Sequence, residues 1–287
     1  MNGQLAGNRL KDIIQWADLK LQGWEERERK ATVKWMMQTL LGLSTTQLLI
    51  EVDRTFSESE ILKVHFAIKR LLNGEPLQYV LNEAYFGGLV FKLDQSVLIP
   101  RPETEEWLMA WMPNIQKDDH VLDLGTGSGC IAITIAHHTQ AKVTALDISQ
   151  KALVVAKANA EKYRANVAFV EADMRHAEKW IATATVIVSN PPYVLEKDKA
   201  EMQNQVLNHE PHLALFVPDD SPLLFYRSMV DQVNTYGENC RMVIFETHEN
   251  YAHEVADLFD SHHWEVQVTK DLQKKDRAVI AQKKINE

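Results

Sequence analysis

The chain has 287 residues, 45% of them apolar and 25% charged, with 11 glycines and 9 prolines. That balance fits one large or two smaller globular domains and excludes disordered and collagen-like chains. With 31 lysines and arginines against 40 aspartates and glutamates, the formal net charge of -9 argues against a basic sheath along nucleic acid. Cys130 and Cys240 are the only cysteines, so a disulfide framework and a four-cysteine zinc site are excluded. No apolar run is long enough to cross a bilayer and no secretion signal opens the chain, so a cytoplasmic protein is expected.

The first third reads as helices. Leu10, Ile13, Ile14, Trp16, Ala17 and Leu21 form an apolar stripe at roughly helical spacing. A second helix runs from the charged residues 25–34 through Trp35, Met36, Leu40 and Leu41, and stops at Gly42. Ser44 or Thr45 can cap a short helix over 47–50. Ser57 caps another over 58–72, with Glu60 at the reciprocal capping-box spacing. After Asn73-Gly74 a strand is expected around Tyr79, followed by Asn82, whose side chain tolerates a left-handed turn. Two short strands flank Gly87-Gly88. Pro100 and Pro102 then forbid a continued helix or a central strand. We read a helical domain over 1–75, a β-hairpin linker over 76–102 and a catalytic domain over 103–287, which opens on a helix over 103–111.

Beyond that point the pattern alternates. Strands are expected at 121–124, 143–146, 167–170, 186–188 and 243–245, with helices at 130–138, 152–163, 223–233 and 251–259. Such spacing implies an α/β domain whose mostly parallel sheet is covered on both faces. Strands at 264–268 and 278–280, with no helix between them, suggest an antiparallel C-terminal edge.

Asp123-Leu124-Gly125-Thr126-Gly127-Ser128-Gly129 joins the first of these strands to a helix. Its glycines permit a tight turn and close approach of a ligand to the backbone. The spacing is one residue shorter than the dinucleotide fingerprint, and the Gly-Lys-Ser/Thr ending of a triphosphate loop is missing. A mononucleotide-like ligand without a pyrophosphate fits better. Asp147, at the end of the second strand, can accept both ribose hydroxyls. Asp173 follows the third strand and can meet an adenine amino group, with Met174 against the ring. Each acid alone also reads as a helix cap; with the turn they favour S-adenosylmethionine, whose adenosine uses these contacts and whose sulfonium needs no phosphate cradle. The expected cofactor residues are Asp123, Gly125, Thr126, Gly127, Gly129, Asp147, Asp173, Met174 and Asn190.

Asn190-Pro191-Pro192-Tyr193 stands at the end of the fourth strand. An amide or aromatic amine is a poor nucleophile because its lone pair is delocalised. Asn190 Oδ1 and the Pro191 carbonyl can each accept one N–H from such a nitrogen and turn its free face to a methyl donor. Tyr193 can pack its ring on the planar group. A carboxylate oxygen has no hydrogens to offer these acceptors. Asn190, Pro191, Pro192 and Tyr193 are therefore the expected catalytic and substrate-binding residues of a direct methyl transfer that releases S-adenosylhomocysteine.

Three stretches together resemble the PrmC/HemK family of bacterial protein-(glutamine-N5) methyltransferases, which act on peptide chain release factors. They are Val97-Leu98-Ile99-Pro100-Arg101-Pro102-Glu103-Thr104-Glu105, the Asp123 to Gly129 turn, and Ser189-Asn190-Pro191-Pro192-Tyr193-Val194. The resemblance implies a Rossmann-like class I S-adenosylmethionine-dependent methyltransferase fold, preceded by a small helical domain and a hairpin. It implies the glutamine of the Gly-Gly-Gln motif in class I release factors as substrate, entering at Asn190-Pro191-Pro192-Tyr193 while the helical domain grips a separate surface. Asn82, Val217-Pro218, Ser221 and Thr247-His248 depart from the family pattern.

Arg101 and Glu103 either salt-bridge across the linker or shape the entrance for cofactor and substrate. The eleven histidines show no ligand spacing, so no metal is expected, and Cys130 reads as a small helix residue. Competing readings are a ribosomal-protein glutamine target, adenine-N6 methylation of nucleic acid, and an inactive cofactor-binding module partnering a release factor. Base flipping needs a groove for phosphates, which the acidic composition disfavours. A monomer, with no membrane association and no sequence-specific nucleic-acid binding, is expected.

Overall fold

The computed structural model describes residues 5–284. Residues up to Asn82 group with Asn204–His209 in one compact unit, and Glu83–Gln203 groups with the chain from Glu210 onward in another. The first unit contains helices α1 (Leu10–Lys20), α2 (Glu26–Leu41), α3 (Thr45–Ile50), α4 (Glu58–Leu72) and α5 (Leu77–Leu81). The stripe on α1 buries Leu10, Ile13 and Ala17 in one core with Met36 and Met37 of α2 and Val64 and Ile68 of α4. Each large apolar side chain so buried stabilises the fold by ~1.5–3 kcal/mol. Ser44, rather than Thr45, caps α3 and forms a capping box with Gln47; Ser57 and Glu60 form the box expected on α4.

The strand expected around Tyr79 is instead the short helix α5. A brief apolar run carries too little periodicity to separate strand from helix, and its flanks decide. Pro76 supplies the N-cap with φ -57, and Asn82 ends the helix in the left-handed region at φ 55. The Arg70 guanidinium donates to the carbonyls of Tyr79 (3.0 Å) and Val80 (3.1 Å) at the end of this helix.

In the second unit, β1 (Glu83–Phe86) and β2 (Leu89–Lys92) form the hairpin. Gly87 and Gly88 both have positive φ (59° and 77°), as a two-residue turn matched to strand twist requires. The hairpin joins this unit rather than standing apart as a linker: Asn159 accepts from Lys92 N (2.7 Å) and donates to Lys92 O (3.0 Å), and Tyr163 Oη accepts from Val90 N (2.7 Å). The remaining elements are α6 (Pro102–Trp111), β3 (His120–Leu124), α7 (Cys130–Thr139), β4 (Lys142–Asp147), α8 (Gln150–Tyr163), β5 (Val167–Glu171), α9 (Glu178–Ile181), β6 (Val186–Ser189), β7 (Val194–Leu195), β8 (Phe216–Val217), α11 (Leu224–Tyr236), β9 (Met242–Glu246), α12 (Ala252–Ala256), β10 (Trp264–Lys270) and β11 (Asp276–Lys283). Helix α10 (Asn204–His209) is the segment that groups with the helical unit.

Seven strands form one sheet in the order β10-β11-β9-β6-β3-β4-β5. The five from β9 to β5 are parallel, and β11 runs antiparallel to both of its neighbours, β9 and β10. The last strand does not take the edge: β11 inserts between β9 and β10, so β10 is the edge strand. One apolar layer packs α6, α7 and α8 on one face, and a second packs α9, α11 and α12 on the other. The chain moves outward through β4 and β5 on one side of β3, and through β6 and β9 on the other. Ligands of open α/β sheets bind where the strand order reverses in this way, at the carboxyl ends of β3 and β6.

Candidate active site

The turn after β3 forms because three of its residues are glycines in the left-handed region: Gly125 (φ 78), Gly127 (φ 55) and Gly129 (φ 81). The N–H groups of Gly125 and Thr126 both donate to Leu146 O, each at 2.9 Å, which ties the turn to the end of β4. Asp147 accepts from Gly127 N and Ser149 N, each at 2.8 Å. Burial raises its pKa while these two N–H groups oppose the shift. Asp173 is gripped by the Arg175 guanidinium (Nη2 to Oδ2, 2.6 Å), which holds its carboxyl below the ordinary value. Gly125, Gly127, Asp147, Asp173, Met174, Asn190 and Pro192 line one cavity of about 170 Å³. Its other walls include Ser96, Val97 and Leu98 before α6, Pro211, Leu213 and Ala214, and Phe225 on α11.

Several expected residues stand behind that wall. Asp123 is fully buried, with Oδ2 accepting from Thr126 Oγ1 at 2.6 Å and Oδ1 unpartnered among the described residues. Burial pushes its pKa up to about 7. Thr126, Gly129, Pro191 and Tyr193 also do not line the cavity. A Cβ on Gly129 would meet Ile133 Cδ1 at 2.8 Å and Ala156 Cβ at 3.2 Å, so this glycine serves close packing of the turn on α7 and α8.

Asn190 follows β6, whose end is fixed by Ser189 Oγ donating to Leu124 O at 2.6 Å. Its Nδ2 donates to Thr104 Oγ1 on α6 at 3.2 Å. Thr104 Oγ1 in turn donates to Glu246 Oε2 at 2.5 Å, and Trp107 Nε1 donates to the same oxygen at 2.9 Å. Tyr193 Oη donates to Glu246 Oε1 at 3.1 Å. Glu246 ends β9 and is 1% exposed; burial raises its pKa, opposed by its hydrogen bonds to Thr104 and Trp107. Thr104, Trp107 and Glu246 were not among the expected site residues. A carboxylate directly after Met242-Val243-Ile244-Phe245 was the available signal, since a charge at the end of a buried strand needs partners. His248, a departure from the family pattern, lies edge-on to Tyr193 with ring centroids 6.1 Å apart.

Arg101 and Glu103 separate. Arg101 Nη2 donates to Glu210 Oε1 at 2.7 Å, and Glu210 Oε2 also accepts from Ile99 N at 3.3 Å. Glu103 faces a second cavity with Glu106, Trp107, Trp111, Asp271 and Arg277. Among the described residues no cluster of histidine, cysteine and acidic side chains is placed to hold a metal ion, and no helix is long and apolar enough to cross a membrane. Cys130 is buried, and burial raises its thiol pKa to about 12.

Comparison with known proteins identifies this arrangement. Residues 12–81 match the family profile described as PrmC N-terminal domain, and residues 104–214 match that described as Methyltransferase small domain. The release factor glutamine methyltransferase of Flavobacterium psychrophilum is 34% identical over 264 residues, covering 89% of this chain and 92% of the relative. That of Bacillus subtilis is 35% identical over 282 residues, covering 94% and 96%. The chain belongs to the release factor glutamine methyltransferase family. Its fold is that of the class I S-adenosylmethionine-dependent methyltransferases. The hMettl16 catalytic domain, solved in complex with MAT2A 3'UTR hairpin 6, shares that fold with a TM-score of 0.56 at 13% identity, covering 80% of this chain and 84% of the other. Each of the three quoted stretches contributes to one cavity, through Val97 and Leu98, through Gly125 and Gly127, and through Asn190 and Pro192.

Proposed function

We propose that this chain transfers a methyl group from S-adenosylmethionine to the side-chain amide nitrogen of the glutamine in the Gly-Gly-Gln motif of class I release factors. The observation that carries this reading is Asn190. Its Nδ2 is held by Thr104, its Oδ1 has no hydrogen-bond partner among the described residues, and it lines the cavity that also contains the glycine turn and Asp147. The donor set fits the cofactor. Asp147 is held by two backbone N–H groups and can still accept from a ribose, Asp173 and Met174 line the same cavity, and Gly125 and Gly127 present backbone without side chains. S-adenosylmethionine, when bound, supplies an electrophilic methyl group and leaves as S-adenosylhomocysteine.

Asn190 Oδ1 and the Pro191 carbonyl accept the two amide hydrogens of the glutamine and hold its nitrogen in the orientation for in-line attack. As the nitrogen–carbon bond forms, the nitrogen becomes acidic and releases one proton late, so no dedicated base is required. Tyr193, tied to Glu246, flanks the planar group. In the same reading residues 1–75 recognise a second surface of the release factor, and the enzyme acts in the cytoplasm as a monomer.

The test is mass spectrometry of a purified class I release factor incubated with this protein and S-adenosylmethionine. The expected result is a gain of one methyl on the Gly-Gly-Gln peptide. Asn190→Ala abolishes most of the gain and leaves affinity for S-adenosylhomocysteine nearly unchanged. Equal loss of cofactor affinity refutes the role of Asn190. No methylation of a folded release factor by protein that binds the cofactor refutes the substrate.

A further inference from the structure

The geometry points to Thr104 and Glu246 as positioning residues that fix which end of the Asn190 carboxamide faces the substrate. This inference rests on the amide-methylation reading above. The oxygen and nitrogen ends of an asparagine side chain are nearly equal in size, so packing alone does not choose between them. The chemistry does require a choice. Oδ1 forward accepts a substrate N–H, whereas Nδ2 forward meets that N–H donor to donor.

A chain of committed donors makes the choice. The Trp107 indole N–H can only donate, and it donates to Glu246 Oε2 at 2.9 Å. As a carboxylate Glu246 only accepts, so Oε2 has no hydrogen to offer its second neighbour. The Thr104 hydroxyl, 2.5 Å from the same oxygen, must spend its single hydrogen there. Thr104 Oγ1 is then left only lone pairs for Asn190, so the Asn190 atom 3.2 Å away is the Nδ2 donor. Oδ1 is thereby turned outward. Tyr193 donates to the other carboxylate oxygen at 3.1 Å, so one buried group orients both ends of Asn190-Pro191-Pro192-Tyr193.

Neither Thr104 nor Glu246 lines the cavity, so each acts through the residues that it holds. The burial of Glu246 argues that this is more than packing. The residues preceding it on β9 are apolar, and a carboxylate that is 1% exposed carries a desolvation cost that another apolar side chain would avoid.

Thr104→Val keeps the shape and removes the hydroxyl. It should lower kcat for release-factor methylation ~10- to 100-fold, the effect of leaving a buried donor and acceptor unpaired, with unchanged affinity for S-adenosylhomocysteine. Thr104→Ser restores most of the rate. In an Asn190→Ala background Thr104→Val costs nothing further, because the group that it orients is gone. Side-chain ¹⁵N NMR of the cofactor-loaded wild type should show one Asn190 amide hydrogen protected from exchange, and Thr104→Val should lose that protection. Wild-type kcat in Thr104→Val, additive losses in the double variant, or an unprotected Asn190 amide in the wild type would each overturn the inference. If Thr104→Val does not fold, the wild-type NMR measurement and Thr104→Ser still decide it. If the wild type methylates no release factor, the substrate reading fails, while the NMR result judges the positioning role by itself.

Discussion

Replacing Gly125 by alanine separates two penalties that the structure allows to be weighed. The backbone at Gly125 has φ 78, where an L side chain costs ~1–2 kcal/mol. The added Cβ would also lie 2.7 Å from Met174 Cε. That atom is the far end of a flexible side chain, so Met174 moves and the backbone does not. Met174 lines the cavity proposed above for the cofactor, so its displaced methyl would occupy ligand space. Gly88→Ala supplies the control, because its φ is 77 and nothing lies within 4 Å of the added Cβ. Both variants should lower Tm by ~2–8 °C, the backbone cost scaled for a domain of this size. Only Gly125→Ala should weaken S-adenosylhomocysteine binding, by ~10-fold or more in calorimetry, corresponding to ~1.4 kcal/mol. Wild-type affinity in Gly125→Ala, with a Tm lowered as in Gly88→Ala, refutes the placement of Met174 against the ligand.

Two further outcomes are expected. Arg101→Ala leaves the 1% exposed Glu210 side chain with only the Ile99 N–H and should cost ~1–3 kcal/mol in urea unfolding. Glu210→Gln should cost less because no buried charge is left; equal costs would refute a pairing role for Arg101. Asp123 has its pKa raised by burial from 3.8 to about 7, so the folded protein holds this proton more tightly than the unfolded chain. Its stabilising contribution is complete below the ordinary value and is lost as pH rises through about 7. The stability of Asp123→Asn relative to the parent should therefore improve between about pH 5 and about pH 8 in urea titrations. A difference that stays constant across that range refutes it.

Much of this was legible in the chain because its signals are local. Ser57 and Glu60 are three residues apart, and the glycines of the Asp123 to Gly129 turn follow one strand and precede one helix, so spacing alone places them. The alternation after Trp111 likewise implies a mostly parallel sheet, although the reversal between β3 and β6 belongs to the strand order, which alternation does not fix. The helix at Leu77–Leu81 is not legible because four apolar residues around Gln78 are too few to separate the two periods, and because its Asn82 cap resembles a turn after a strand. The support of Asn190 was missed for a different reason. Thr104 and Glu246 are 142 residues apart and Arg101 and Glu210 are 109 apart; no propensity or period connects such pairs. Only the sheet order brings the end of β9 to α6.

The insertion of β11 between β9 and β10 has a consequence for the order of synthesis. As the chain emerges from the ribosome, β10 appears before β11 and has no partner in the sheet until β11 is made. Until then β9 carries an open edge, and β10 is a second unpaired strand, which are the features that invite intermolecular pairing. Ala278 of β11 pairs with Glu246, and Thr247 N donates to Arg277 O at 2.8 Å. The strand that completes the sheet therefore also braces the carboxylate behind Asn190. The support of Asn190 is thus completed by one of the last segments of the chain to be made.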